Sequence, residues 1–172
     1  MSPEPPFSRS VKVDTLPRDG LEQAIEANPA ERGALALEND LVELSKLTAK
    51  LTVKRSGRGV RVRGSLHAEA VQTCVVTLDP FPVTIEEEID ARFAPPSEER
   101  KREETTEVLL DTADEPDPLV DGKIDLGSIA AEFLALSLDP YPRKPGVEFE
   151  APAEEDGPES PFTELSRLAK ED

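Results

Sequence analysis

Three observations place this sequence in the α+β class. Residues 47–93 hold three runs whose apolar side chains alternate at period two, and residues 124–137 hold an apolar stripe at helical spacing. Gly and Pro clusters separate these runs. Together they predict a curved antiparallel sheet or partial barrel covered by one main helix, with short N-terminal helices and an acidic C-terminal tail.

The first element expected is a strand, since Phe7, Arg9, Val11, Val13 and Thr15 share one parity and Ser10, Lys12 and Asp14 the other. A short helix is expected around Leu21 and Ile25. A second follows Asn28, which can cap, with Pro29 suited to the first helical position and Glu31 completing a capping box. Ala34, Leu35, Leu37 and Leu41 would be its buried side. Gly33 works against it, at about 1 kcal/mol relative to alanine.

The sheet comes next. Leu47, Ala49, Leu51 and Val53 alternate with Thr48, Lys50, Thr52 and Lys54. Beyond Ser56-Gly57-Arg58-Gly59, the residues Val60, Val62, Leu66, Ala68 and Ala70 share a parity, opposite Arg61, Arg63, His67 and Glu69. Two such runs across a glycine-rich link predict a hairpin. After Asp79-Pro80-Phe81-Pro82, a third run places Val83, Ile85, Ile89, Ala91 and Phe93 against Thr84, Glu86, Glu88, Asp90 and Arg92. Pro95-Pro96 stops it. The expectation is a three-strand meander with one wet face.

Residues 97–123 read as an acidic loop, with Glu107-Val108-Leu109-Leu110 able to form a short edge strand. Asp125 then caps the main helix, whose apolar stripe is Leu126, Ile129, Ala130, Phe133, Leu134 and Leu136 or Ser137; Pro140 ends it. A single domain over 7–149 is expected, followed by an acidic tail over 150–172.

The chain has 172 residues, and its 43 Leu, Ile, Val and Phe make up 25% of them. That exceeds the roughly 20% below which charged chains stay disordered. The net charge of −17 argues against a generally basic nucleic-acid binder or a polybasic membrane binder. A single Cys and a single His exclude an intramolecular disulfide and a multi-histidine zinc site. No apolar run reaches ~18 residues and MSPEPPFSRS has no apolar signal core, so a soluble cytoplasmic protein is expected.

One charge feature opposes the overall sign. Residues 46–63 contain Lys46, Lys50, Lys54, Arg55, Arg58, Arg61 and Arg63 and no acid. On alternating strands Lys50, Lys54, Arg61 and Arg63 would share the wet face, with Arg55 and Arg58 crowning the turn. Such a face can follow a phosphate backbone, where arginine adds two-point contacts. It can equally be a solvated face paired with Glu86, Glu88 and Asp90, each exposed pair contributing about 0–1 kcal/mol.

Catalytic constellations are poor. Asp79 and Asp139 each precede proline, a usual turn arrangement. His67 falls on the wet parity as an ordinary surface residue. Cys74 has no nearby His and reads as a small, semi-buried apolar residue. No phosphate-binding glycine loop or nucleophile elbow occurs. No enzyme activity and no cofactor are expected.

Two further segments have both structural and functional readings. Leu138–Gly146 holds three prolines and the single Tyr, forming a strap that can also present Tyr141, Arg143 and Lys144 to a partner. Phe162, Leu165, Leu168 and Ala169 form a short apolar face in the tail, which would dock on a partner or back on its own domain.

Four pieces then occur in order: Gly64–Pro80 around Cys74-Val75-Val76-Thr77, the helix Ile124–Leu136, the strap Asp139–Pro145, and Pro161-Phe162 with Leu165 and Leu168. This ordered set resembles the YceD family, the large ribosomal RNA subunit accumulation proteins, over most of residues 10–170. The resemblance implies a non-enzymatic role in accumulation, processing or stability of 23S ribosomal RNA. Expected partners are ribosomal RNA or a pre-ribosomal large-subunit particle. The alternative is an acidic module that holds a basic ribosomal protein or assembly factor without touching RNA. Many relatives carry Cys-x-x-Cys where this chain has Cys74 and Thr77, so a metal or redox role built on that pair is not expected here.

Overall fold

Long alternating runs joined by tight turns form antiparallel sheet because each strand hides one face while pairing its backbone. The computed structural model describes residues 5–95 and 116–148, and its elements follow that rule. Strand β1 (Ser10–Lys12) leads into a 3-10 turn at Val13–Thr15; then come β2 (Leu21–Glu26), helix α1 (Pro29–Glu38), β3 (Glu43–Ser56), β4 (Gly59–Thr73) and β5 (Pro80–Ala94). Strands β6 (Asp117–Pro118) and β7 (Lys123–Asp125) precede helix α2 (Leu126–Ser137). Among the described residues these make a five-stranded sheet ordered β2-β3-β4-β5-β6 and a two-stranded sheet of β1 and β7. All pairings are antiparallel except β5 with β6.

The meander is as the alternation predicts. Leu47, Ala49, Leu51, Val53, Val60, Val62, Leu66 and Ala68 are buried, and their odd-numbered or even-numbered neighbours face out. Helix α1 packs on β3, and α2 packs on β4 and β5. Leu35, Leu126 and Leu134 are fully buried beneath them. Each such side chain stabilises by about 1.5–3 kcal/mol.

The sheet is open, and its strands approach closely at two glycines. At Gly64 a Cβ would lie 1.9 Å from the Lys50 carbonyl oxygen, and at Gly59 it would lie 1.8 Å from that of Phe93. Neighbouring backbone occupies the space of a side chain, which only glycine permits. The sheet does not close into a barrel, because β2 and β6 stay at opposite edges.

Several other expectations are corrected. Leu21–Glu26 is a strand, antiparallel to β3, because Leu21, Gln23 and Ile25 alternate inward along its edge. The initial strand shrinks to Ser10–Lys12, since Val13 and Leu16 bury through a turn. Helix α1 has the full Asn28–Glu31 capping box but turns Leu35 and Ala36 inward, leaving Leu37 83% exposed. Leu136, at the end of α2, is 74% exposed. The expected loop 97–123 contributes β6 and the start of β7, and Glu107–Leu110 lies outside the described residues. The tail 150–172 does so too.

One part-buried junction was not evident in the sequence. Asp125 caps α2 by accepting from the backbone N–H of Gly127 and Ser128, and its Oδ1 also accepts from Arg9 N at 2.7 Å. The Arg9 guanidinium lies 4.8 Å over the Phe7 ring and binds both oxygens of Glu31, at 2.8 and 3.1 Å. Those contacts hold the Glu31 carboxyl below its ordinary range. The N-terminal segment thereby locks α1 to α2.

Candidate nucleic-acid interface

Register decides which charged side chains become neighbours, because directly opposed residues on one sheet face sit about 4.5–5.5 Å apart. Lys54 pairs with Arg61, and Arg61 pairs with Arg92. Three cations therefore form one row across β3, β4 and β5 at the hairpin end of the wet face. The next row runs Glu22, Thr52, Arg63 and Asp90. Arg58 occupies the two-residue turn beside Gly57, whose φ of +58° suits glycine.

Asp90 is the countercharge of this end. Its carboxylate accepts from Arg61 Nε at 2.6 Å and from Arg63 Nε at 3.2 Å. The Arg61 guanidinium, with Arg63 behind it, holds Asp90 down to about 2. Lys50, Lys54 and Arg58 are exposed and form no ion pair among the described residues. The aliphatic stem of Lys54 crosses Gly20, where a Cβ would come within 2.8 Å of it.

Moving away from the hairpin, the same face turns acidic. Lys50 shares a row with Ser65 and Glu88, and His67 shares one with Glu26, Thr48 and Glu86. His67 lies 3.3 Å from Glu69 and 3.5 Å from Glu86. Lys46 lies 3.5 Å from Glu69. The seven cations of residues 46–63 are thus divided: Lys46, Arg61 and Arg63 meet carboxylates, while Lys50, Lys54 and Arg58 form no ion pair among the described residues.

Four of the residues grouped by sequence separate in space from the hairpin patch. Arg55 has the dry parity and donates to the carbonyl oxygens of Val13 and Asp14, at 2.9 and 3.2 Å, so it braces the 3-10 turn. The strap docks at the far end of β4, where Val75 N donates to Pro142 O at 2.9 Å and Gln72 donates to Asp139 O. Tyr141, Arg143 and Lys144 are exposed there, on the order of 40 Å along the strand from the hairpin turn. Phe162, Leu165 and Leu168 lie outside the described residues. Arg92 is the residue that sequence reasoning left out of the basic group, although its wet parity pointed to it.

Cys74 lies beneath the strap. It is fully buried, not semi-buried, and its Sγ accepts from Lys144 N at 3.4 Å. The N–H groups of Lys144 and then Thr77 bring the thiol down to about 6.

A model of the large ribosomal RNA subunit accumulation protein YceD matches residues 62–169. This chain belongs to the YceD family. No curated protein and no solved structure matches it. The YceD match begins at Val62, so it takes in Arg63, Arg92, α2 and the strap, while Lys54, Arg58 and Arg61 precede it. Thr77, three residues after Cys74, supplies no second thiol there. Among the described residues no group of three His, Cys, Asp or Glu is placed to share an ion. Among the described residues no helix is long and apolar enough to cross a membrane.

Proposed function

We propose that this protein is a non-enzymatic cytoplasmic factor that supports accumulation of large-subunit ribosomal RNA by touching RNA phosphates through the hairpin end of its wet face. Membership of the YceD family supports the ribosomal RNA connection. The observation that carries the contact is the row of Lys54, Arg61 and Arg92. The row gathers three cations at neighbouring strand positions, with the Asp90 carboxylate already held by Arg61 beside it, and a phosphate backbone offers these cations further oxygens. Arginine is able to take two such oxygens at once. The acidic remainder of the chain limits indiscriminate binding to nucleic acid.

A second reading has its own support. Glu86, Glu87 and Glu88 are consecutive and exposed on β5, whose outer side is paired only through Phe93 and Ala94 among the described residues. A basic extended segment of a ribosomal protein or assembly factor suits such an edge. Pull-down from cell lysate with and without nuclease separates the two. Nuclease-sensitive capture of large-subunit precursor particles is expected; nuclease-resistant capture of one basic protein supports the second reading instead.

A further inference from the structure

Among the described residues the wet face has cations but no stacking platform. Its outward side chains are mostly Lys, Arg, Thr, Ser, Glu and Asp, with Ala24, Val71, Pro82 and Ala94 toward its margins and His67 as the single aromatic ring among the described residues. That imidazole is held between the carboxylates of Glu69 and Glu86. The aromatic residues are elsewhere. Phe7 and Phe81 are buried, Phe93 and Phe133 pack against the core, and Tyr141 sits on the strap at the other end of β4. Phe149 and Phe162 lie outside the described residues, and the chain has no Trp.

Proteins that bind single strands combine a positive surface with aromatic rings on which bases stack. Without the rings, a flexible single strand loses its conformational freedom with little return. One cavity on the face, of about 370 Å³, is lined by Ser65, Leu66, His67, Glu86, Glu87 and Glu88, a carboxylate-rich setting that repels a nucleotide.

A duplex makes different demands. Its bases are already stacked inward, and it displays phosphates and 2′-hydroxyls across a wide, shallow minor groove. The row of Lys54, Arg61 and Arg92 spans about 10 Å at strand spacing. Arg63 and Arg58 extend it along and beyond the hairpin, giving a compact patch that holds Asp90 between Arg61 and Arg63, has Glu22 at its edge, and is followed along the strands by Glu26, Glu69, Glu86 and Glu88. We propose that the ligand of this patch is the sugar–phosphate backbone of double-stranded RNA, bound by charge and shape without reading of the bases. The proposal rests on the RNA-contact reading above and assigns the form of RNA that the patch selects.

The test uses the full chain, an RNA duplex of about 16 base pairs, the span of a typical duplex-binding module, and its two separated strands. Binding is followed at low salt by fluorescence anisotropy, with a second duplex of permuted sequence. The duplex is expected to bind roughly tenfold or more tighter than either strand, with the permuted duplex equivalent. Lys54→Gln/Arg92→Gln, shown to be folded by circular dichroism, should weaken duplex binding while leaving the strands' weak binding little changed. Equal or tighter binding of a single strand, or a dependence on base sequence, overturns the duplex assignment and leaves RNA contact standing. Absence of binding to every RNA overturns both.

Discussion

Asp90 sits between two arginines of the adjacent strand: Arg61 reaches it through Nε at 2.6 Å, and Arg63 through Nε at 3.2 Å. A carboxylate in that position occupies the guanidinium faces a phosphate would use. Asp90→Asn removes the competitor and one negative charge from the hairpin end. RNA affinity is expected to rise roughly threefold to tenfold at low salt, as measured by anisotropy against the wild type. An unchanged or lower affinity would show that Asp90 orients Arg61 for the ligand instead of competing with it.

The same pair has an acid signature. The folded-state value of Asp90 is about 2, below the ordinary 3.8, so its stabilising contribution is complete above 3.8 and disappears as pH falls through 2. Urea midpoints of wild type and Asp90→Asn are expected to differ most above pH 4 and to converge toward pH 2. A constant difference across that window would contradict the assigned coupling.

Cys74 predicts a second, separate pH dependence. Its thiol is held at about 6 by N–H groups of Lys144 and Thr77, against an ordinary 9.0. The associated stability is complete above 9 and is lost as pH falls through 6. Wild type should therefore gain on Cys74→Ala as pH rises from 6 to 9, and native thiolate absorbance should titrate near 6. Near neutral pH the substitution should lower Tm by roughly 3–8 °C and leave ribosomal RNA accumulation intact. Loss of accumulation by a folded Cys74→Ala protein would assign the thiol a direct role.

Two glycines give opposite outcomes on replacement by alanine. At Gly64 a Cβ would meet the Lys50 carbonyl oxygen at 1.9 Å, so Gly64→Ala should cost more than about 3 kcal/mol. Gly33 lies in the exposed part of α1 with nothing within 4 Å of its Cβ position, so Gly33→Ala should stabilise by about 0.5–1 kcal/mol. Chemical denaturation of both variants checks the pair. Tolerance of alanine at position 64 would mean that β3 and β4 do not approach as described.

The meander was legible in the sequence because each of β3, β4 and β5 sustains its alternation over many residues. Helix α1 was legible through Asn28, Pro29 and Glu31, since capping is local chemistry. Strand β2 was not. Leu21 and Ile25 have the same spacing on a helical turn as on one strand face, and pairing with β3 decides between them. The openness of the sheet was hidden for a similar reason, because closure depends on whether distant edges meet. In the candidate site, parity put Lys54, Arg61 and Arg63 on one face, but composition could not separate Arg55, which turns to the carbonyl oxygens of Val13 and Asp14. The row with Arg92 needed the register between β4 and β5.

The central claim is that the hairpin end meets RNA through phosphates, and a salt titration tests it most directly. Arg61→Gln/Arg63→Gln keeps the side-chain stems and the buried Val60 and Val62 while removing two cations. Wild type and the double variant, both verified as folded, are titrated with a ribosomal RNA fragment across a range of salt concentrations. Neutralised phosphates release counterions, so the wild type should show a steep fall of log affinity with log salt. The variant should bind more weakly, with a slope flatter by about one unit for each phosphate it no longer neutralises. Identical affinities and identical slopes would contradict the account and remove the hairpin from RNA binding.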